Sequence, residues 1–317
     1  MLKLDQNEVP IPPPQHVIEA ATAALYVSNW YQPAQLYDEV RRLYAEYAGV
    51  RPDHVYLFPG ADDFFEQALL KAKRVAAPSP TYFLFEDQAA FHRVELLQSP
   101  LKDFTLDLAD FLEKAKRADA IYIDNPNNPT GQLLIRPSHL EEILSLGRHT
   151  IVDEAYFEFS GVTAAGLVES WPNLTVVRTM SKAFLLAGLR VTPVITRQRL
   201  HYNTVRFRVS LPSLAAARAA LYNREYVAHV VETVKRGVET LRRGLEDFGI
   251  KTWPTYANFI LAKGPPGLAA LFRKGGVWVR DEEARLGPGF VRITAGTPEQ
   301  CLHVVNVARS LLGNFRS

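Results

Sequence analysis

The sequence predicts an α/β protein, in which a large domain with a mixed, mostly parallel sheet is joined to a smaller α+β domain. Short apolar β-type runs alternate with longer helical patterns from about Tyr37 onward, and several of those runs are apolar on both faces. A long helical stretch then separates them from a second group of strands. Strands that are apolar on both faces are typical of sheets covered by helices. We predict a large domain over 31–208 and a small domain formed by 1–30 plus 209–317.

Seven candidate strands lie in the predicted large domain. They are Val55–Phe58, Val75–Ala77, Val94–Leu97, Ala120–Asp124, Thr150–Asp153, Thr175–Arg178 and Val191–Ile195. Most are short runs of β-branched and other apolar residues separated by helical patterns. Ligands of such sheets collect beyond the carboxyl ends of the strands, so we expect the site there.

The C-terminal third begins with a long predicted helix, Leu214–Phe248, whose apolar residues recur at helical spacing. Gly249 follows it in the manner of a C-terminal cap. Three shorter strand signals come next: Asn258–Leu261, Val277–Val279 and Phe290–Ile293. Near the other end of the chain, the proline-rich segment Pro10–Pro14 predicts an extended arm.

Composition excludes several classes of protein. The 317 residues include 36 Lys plus Arg and 34 Asp plus Glu, a net charge of +2, and 47% are hydrophobic. This balance is typical of a soluble globular chain and predicts no nucleic-acid partner. The single cysteine and eight scattered histidines lack metal-binding spacing, so we expect no metal site. No apolar run approaches the roughly 18 residues of a membrane span, and we expect a cytoplasmic protein without a membrane partner.

Three polar motifs follow predicted strands. They are Asp124–Gly131 (DNPNNPTG), Asp153–Tyr156 (DEAY) and Arg178–Arg190, which contains Ser181-Lys182 and Gly188-Leu189-Arg190. Taken singly, each has a structural explanation: a capped turn, an ion pair or a surface lysine. A carboxylate that leaves a buried strand, as Asp153 does, must meet a cation or several hydrogen-bond donors.

In this order, the motifs resemble those of the fold-type I aminotransferases, which use pyridoxal 5′-phosphate. The subgroup that they are most similar to is the histidinol-phosphate aminotransferase family, and the resemblance extends from Leu4 to about Gly296. It implies that Lys182 is the catalytic lysine that bonds the cofactor and that Asp153 pairs with the pyridine nitrogen.

The resemblance assigns further cofactor contacts. The phenolic oxygen of the cofactor would be bonded by Asn128 and Tyr156, and Tyr82 would stack on its ring. The phosphate-binding residues would be Ala61 and Asp62, through their backbone at a helix N-terminus, with Thr179, Ser181 and Arg190. Tyr31 corresponds to a tyrosine that reaches the cofactor phosphate of the neighbouring subunit, although Gln32 is inserted after it.

Two arginines and one glutamate are the predicted substrate ligands. Arg292 lies inside an apolar strand signal, where an unpaired guanidinium would be costly, so we expect a buried anionic partner. By resemblance, Arg280 and Arg292 bind the anionic group of the substrate. Glu8, in the arm Leu4–Pro10, is placed to meet an imidazole or an amine.

The chemistry of these residue types agrees with the implied roles. An ionised Asp153 shielded from water would keep the ring nitrogen of the cofactor protonated, which favours its action as an electron sink. Lys182 must serve as a nucleophile and then as a base. Both tasks need a lowered pKa, which partial burial and a cation such as Arg190 would provide.

We therefore predict an enzyme that moves the amino group of histidinol phosphate to 2-oxoglutarate, a step of histidine biosynthesis. The resemblance implies a homodimer. A threonine-phosphate decarboxylase and an aromatic aminotransferase remain open, because Thr192-Pro193, Arg206 and Arg208 depart from the family pattern near the substrate. A non-catalytic regulatory or binding module is the alternative from another class.

Overall fold

The computed structural model describes residues 1–312, whose strands form a seven-stranded large sheet and a five-stranded small sheet. The strands are β1 (Leu2–Leu4), β2 (Val55–Phe58), β3 (Arg74–Ser79), β4 (Glu95–Pro100), β5 (Ala120–Asp124), β6 (His149–Asp153), β7 (Leu174–Val177), β8 (Thr192–Thr196), β9 (Lys251–Thr252), β10 (Phe259–Lys263), β11 (Val277–Asp281) and β12 (Phe290–Thr294). All the predicted strands are present, with ends shifted by at most three residues. The short β1 and β9 are the strands that the sequence did not predict.

Helices cover the sheets. They are α1 (Gln15–Leu25), α2 (Ala34–Ala48), α3 (Ala61–Leu69), α4 (Phe83–Phe91), α5 (Leu108–Arg117), α6 (Pro137–Leu144), α7 (Phe157–Ser160), α8 (Tyr202–Arg206), α9 (Leu211–Tyr222), α10 (Glu225–Glu246), α11 (Leu268–Lys274), α12 (Glu283–Leu286) and α13 (Pro298–Leu312). No helix within residues 1–312 is both long enough and apolar enough to cross a membrane.

The large sheet is mixed and mostly parallel, as predicted. Its order is β2-β8-β7-β6-β5-β3-β4, and only β8 runs antiparallel to its neighbours β7 and β2. The carboxyl ends of β5, β6 and β7 therefore meet at one edge. Because the three polar motifs follow these strands directly, the topology brings their side chains together.

The small sheet joins the two ends of the chain. Its order is β1-β11-β12-β10-β9, and β1 pairs in parallel with β11, so that Leu2 lies opposite Val277. This pairing holds residues 5–9, which follow β1, beside the carboxyl edge of the large sheet, where Asn7 bonds a side chain of the DEAY motif.

The single long helix predicted over Leu214–Phe248 is wrong. The structure has two helices, α9 and α10, separated at Asn223, whose backbone has φ −122° and ψ 48°. Asparagine competes with helical hydrogen bonding through its own side chain, so a break there costs little. Gly249 does follow α10 with a positive φ of 77°, and its amide donates to the Glu246 carbonyl oxygen at 2.9 Å.

A buried ion pair ties the ends of two central strands. Glu154 follows β6 and Arg178 follows β7, with 3.0 Å between Arg178 Nε and Glu154 Oε2, and both side chains are almost completely buried. Arg178 also donates to Thr163 Oγ1 at 2.6 Å and lies over the Phe157 ring. The pair holds the segments that carry Asp153 and Lys182 in a fixed relation.

Candidate active site

One cavity of about 380 Å³ lies between the carboxyl edge of the large sheet and the small sheet. The predicted site residues that line it come from both ends of the chain. They are Glu8, Ala61, Asp62, Tyr82, Asn128, Asp153, Tyr156, Thr179, Ser181, Lys182, Arg190, Arg280 and Arg292. The folded chain thus brings together residues that its sequence spreads over more than 280 positions.

Tyr31 is the predicted site residue that the cavity does not include. Its side chain is 83% exposed and its ring packs edge-on against Phe207 at 5.4 Å between centroids. Its predicted role lies in a second copy of the chain, and within one copy it is not among the residues that line the cavity.

Asp153 ends β6 as a buried carboxylate with defined partners. The Tyr122 hydroxyl donates to its Oδ2 at 3.0 Å, and the Ala155 amide donates to its Oδ1 at 3.1 Å. Burial, and then the charge of Asp124, raise the pKa of Asp153 to about 7. Such a carboxylate becomes a stronger acid when a cation is brought beside it, as a protonated ring nitrogen would be.

Lys182 lies in the loop after β7 and extends its amine into the cavity. Its Nζ donates to the Gln6 carbonyl oxygen at 3.1 Å, a contact made by the N-terminal arm. Burial, and then the positive charge of Arg292, lower the pKa of Lys182 to about 8. The amine therefore loses its proton far more readily than an exposed lysine does.

At the other end of the cavity, the N-terminus of α3 faces Arg190. Arg190 Nη2 lies 3.0 Å from Asp62 Oδ2, and the Tyr82 hydroxyl donates to Asp62 Oδ1 at 3.0 Å. A Cβ atom on Gly60 would lie 2.2 Å from Arg190 Nη2, so a side chain there would displace the guanidinium from this position, and the φ of 104° at Gly60 is itself one that side chains rarely adopt. The helix amides and the cation make this end suited to an anion.

Tyr156 receives two amide donors. Asn128 Nδ2 donates to its hydroxyl at 3.4 Å and Asn7 Nδ2 donates at 2.8 Å. Asn7 is 1% exposed and has a positive φ of 55°. Asn7 was not predicted as a site residue from the sequence, although it belongs to the same arm as Glu8. Asn7 also accepts a hydrogen bond from Asn258 Nδ2 at 2.9 Å through its carbonyl oxygen, which ties the arm to the small sheet.

Arg292 is 3% exposed, as its apolar strand predicted, and its guanidinium is only partly satisfied. It donates to Asn128 Oδ1, and its Nη2 donates to the Asp5 carbonyl oxygen at 2.8 Å. Its Nη1 lies 3.7 Å from Glu282 Oε1. Burial lowers the pKa of Arg292, while Tyr156 and Glu282 oppose that shift.

The other two predicted substrate ligands are more exposed. The Arg280 guanidinium lies over the Phe83 ring, 4.3 Å from its centroid. The Glu8 side chain is 41% exposed and accepts a hydrogen bond from Lys3 Nζ. Both therefore keep freedom to reorient toward a bound ligand.

Asp124 is a second buried acid that the sequence analysis did not single out as a ligand. Its Oδ1 accepts from Thr81 Oγ1 at 2.7 Å and from Asn127 Nδ2 at 3.0 Å, and its Oδ2 accepts from the Asn128 amide at 2.8 Å. Burial raises its pKa to about 6. These bonds order the turn that carries Asn128.

The donor set fits a pyridoxal phosphate cofactor. A buried carboxylate, Asp153, suits a protonated ring nitrogen, and the half-buried amine of Lys182 suits an aldehyde. The Arg190 guanidinium next to Gly60 and the N-terminus of α3 suit a phosphate. Within residues 1–312 no group of three His, Cys, Asp or Glu side chains is arranged to hold a metal ion.

The comparisons with known proteins point in the same direction. The profile of the family "Aminotransferase class I and II" matches residues 1–307. A histidinol-phosphate aminotransferase from Sulfurisphaera tokodaii is 34% identical over 333 aligned positions, which cover 100% of this chain and 92% of that protein. Another from Thermococcus gammatolerans is 33% identical, and the alignment covers 93% of this chain and 87% of that protein.

Solved structures show the same fold. The histidinol-phosphate aminotransferase from Clostridium acetobutylicum superposes with a TM-score of 0.90 at 21% identity and covers 99% of this chain and 100% of that one. The histidinol-phosphate aminotransferase from Sinorhizobium meliloti, solved in complex with pyridoxal-5'-phosphate, superposes with a TM-score of 0.83 at 22% identity. The superposition covers 99% of this chain and 91% of that one. These likenesses confirm the predicted fold class.

Proposed function

Since the chain belongs to the class I and II aminotransferases, enzymes that depend on pyridoxal 5′-phosphate, we propose that it transfers the amino group of histidinol phosphate to 2-oxoglutarate. The observation that carries the proposal is the grouping of Lys182, Asp153 and the buried Arg292 around one cavity. The relatives named histidinol-phosphate aminotransferase support the same donor, and the proposed role is a step of histidine biosynthesis.

The proposed cofactor contacts fall into two groups. Asp153 holds the ring nitrogen, Tyr82 covers the ring, and Asn128 and Tyr156 bond the phenolic oxygen. The phosphate is held by Ala61, Asp62, Thr179, Ser181 and Arg190. When bound, the cofactor supplies an electron sink that stabilises negative charge at the Cα atom of the donor.

Lys182 is the proposed proton carrier. Its pKa of about 8 lies below that of an ordinary lysine, so Nζ loses its proton more readily and can accept the proton from the donor Cα and return it. The Gln6 carbonyl oxygen orients the amine, and Arg292 disfavours its charged form. These contacts make one residue suited to both nucleophile and base.

The anionic end of the donor is proposed to bind between Arg292 and Arg280. The planar guanidinium matches a phosphate with two parallel hydrogen bonds, and burial strengthens the attraction because water competes less. Glu8, on the arm over the cavity, would receive the imidazole of the donor. The arm also closes the cavity through Asn7 and Gln6.

We also propose the domain division and the dimer. The large cofactor domain covers 31–208, and the small domain combines 1–30 with 209–317. A homodimer is supported by exposed large apolar side chains near Tyr31, including Leu25, Tyr26 and Trp30. In it, Tyr31 would reach the partner's cofactor phosphate. A cytoplasmic location belongs to the same proposal because both substrates are small, charged metabolites.

The test is a panel of amino donors, with and without a phosphate, added to the cofactor-loaded protein. Visible absorbance beyond about 400 nm should bleach fastest with histidinol phosphate, with glutamate formed when 2-oxoglutarate is present. Lys182→Ala is the control and should show neither signal. Carbon dioxide from threonine phosphate would favour the decarboxylase, and preference for an unphosphorylated aromatic donor would overturn the proposed specificity. A protein without visible absorbance would favour a binding module.

A further inference from the structure

A chain of alternating ion pairs runs from the cavity to helix α4. We define this ion-pair chain as Arg292, Glu282, Arg285 and Glu86. Arg292 Nη1 lies 3.7 Å from Glu282 Oε1, Glu282 Oε2 lies 3.2 Å from Arg285 Nη1, and Arg285 Nη2 lies 2.7 Å from Glu86 Oε2. The two arginines and two glutamates balance in charge, so the set can be buried at modest cost.

The first link of the ion-pair chain is loose, whereas the next two are close. Within residues 1–312, neither Glu282 Oε1 nor Arg292 Nε has a hydrogen-bond partner, although both atoms are buried. Glu282 is 1% exposed and Arg292 is 3% exposed. Burying two unsatisfied polar atoms costs free energy, and a closer approach of the carboxylate to the guanidinium would remove that cost. Some other contact must therefore hold Glu282 back.

Arg285 supplies that contact. It engages Glu282 Oε2 on one side, and on the other it donates to Glu86 and to the Thr81 carbonyl oxygen at 2.5 Å. Glu86 is held in turn by Gln98 Nε2 at 2.9 Å. The planar fork of arginine can hold two carboxylates at fixed angles, which a flexible side chain cannot do.

We propose that Arg285 is a positioning residue that tethers Glu282 as a distant counter-ion, so that Arg292 stays available to the anionic group of the donor. Without the tether, Glu282 closes on Arg292 and competes with the donor for the same N–H groups. The inference rests on the proposed function, because it takes Arg292 as the anion ligand. It extends that site to residues on α12 and α4 that do not line the cavity.

The test compares KM for histidinol phosphate in the cofactor-loaded enzyme and five variants. Arg285→Gln should raise KM about tenfold with kcat within about twofold, because a ground-state contact is lost. The double variant Arg285→Gln/Glu282→Gln should return KM to within about threefold of the parent, because the competing carboxylate is gone. Arg285→Lys keeps the positive charge but not the planar guanidinium, and its KM should lie between those of the parent and Arg285→Gln. Arg218→Gln, which breaks a half-exposed pair with Glu39, is the matched control and should leave KM unchanged.

Two outcomes would overturn the inference alone: an unchanged KM in Arg285→Gln, or a double variant as impaired as Arg285→Gln. The second outcome would indicate a merely structural link, since removing a second partner would then bring no recovery. Arg292→Gln separates this failure from that of the proposed function. A KM unchanged in Arg292→Gln would refute the anion site itself, whereas a raised KM there with normal Arg285→Gln kinetics would refute only the tether.

Discussion

Asp124 and Asp153 are paired across the parallel register of β5 and β6, and both side chains are almost fully buried. Two carboxylates in one region of low dielectric oppose each other's ionisation. Burial and this neighbour raise the pKa of Asp153 to about 7, and burial raises that of Asp124 to about 6. The cofactor-free protein therefore holds a proton on this pair at a pH where exposed aspartates are ionised.

The pair predicts how stability of the cofactor-free protein depends on pH. The folded pKa of Asp153 lies above its ordinary value of 3.8, so its contribution to stability is complete below that value and is lost as pH rises through about 7. Between about pH 5 and about pH 8, the melting temperature of Asp153→Asn should therefore fall less than that of the parent. Calorimetry on both proteins measures this, with the exposed Asp87→Asn as control. Parallel profiles for parent and Asp153→Asn would contradict the prediction.

Removal of the Lys182 amine should abolish function without unfolding the protein. We expect Lys182→Ala to lower turnover about a thousandfold or more, because the nucleophile and the base are lost together. Borohydride treatment followed by mass spectrometry should locate a pyridoxyl group on Lys182 in the parent only. The exposed Lys235→Ala should behave as the parent. A pyridoxyl group found elsewhere would refute the assignment.

Gly60 should be essential for the anion end of the cavity. Alanine there would place Cβ 2.2 Å from Arg190 Nη2, at a backbone φ of 104° that side chains rarely adopt. We expect Gly60→Ala to weaken cofactor affinity at least about tenfold in a fluorescence titration. Gly147→Ala, also at positive φ but with no atom within 4 Å of the added Cβ, is a control for alanine at a positive φ outside the cavity. Equal cofactor affinity in the two variants would show that Arg190 does not need the space.

Asn7 should act through Tyr156. Asn7→Gly removes the hydrogen bond to the Tyr156 hydroxyl and the longer one from Thr294 Oγ1, and glycine readily adopts the φ of 55° at this position. A loss of about tenfold in kcat/KM is expected, which corresponds to ~1.4 kcal/mol. Tyr156→Phe and the double variant complete a cycle, in which the two effects should be non-additive. Additive effects would show that the residues act independently.

The buried pair of Glu154 and Arg178 should dominate local stability. Glu154→Gln leaves the almost fully buried Arg178 guanidinium without its counter-ion and should lower the free energy of unfolding by ~3–5 kcal/mol. Asp53→Asn, which breaks the exposed pair with Arg51, should cause little change. Chemical denaturation of the three proteins measures the difference. Similar losses in both variants would mean that burial of the pair has little importance.

Strands and motifs could be predicted because their signals are local. Val55–Phe58 and Ala120–Asp124 have the predicted bounds, since an apolar run between turn residues is itself the signal for a buried strand. Asp153 is the last residue of β6 and Lys182 lies in the loop after β7, so the parallel topology places both at one edge. The helix over 214–248 was predicted wrongly because apolar periodicity does not reveal a local break such as that at Asn223.

The sequence by itself determined ten of the twelve strands, the residue types at the strand ends and, through them, the class of chemistry. Only the tertiary structure decided that Asn7 meets Thr294 across 287 positions, that Asp124 lies opposite Asp153, and that Glu282 lies between Arg285 and Arg292. The reason is physical: local patterns follow from the backbone period, whereas these contacts depend on how two sheets pack and on which charges remain unpaired when they do.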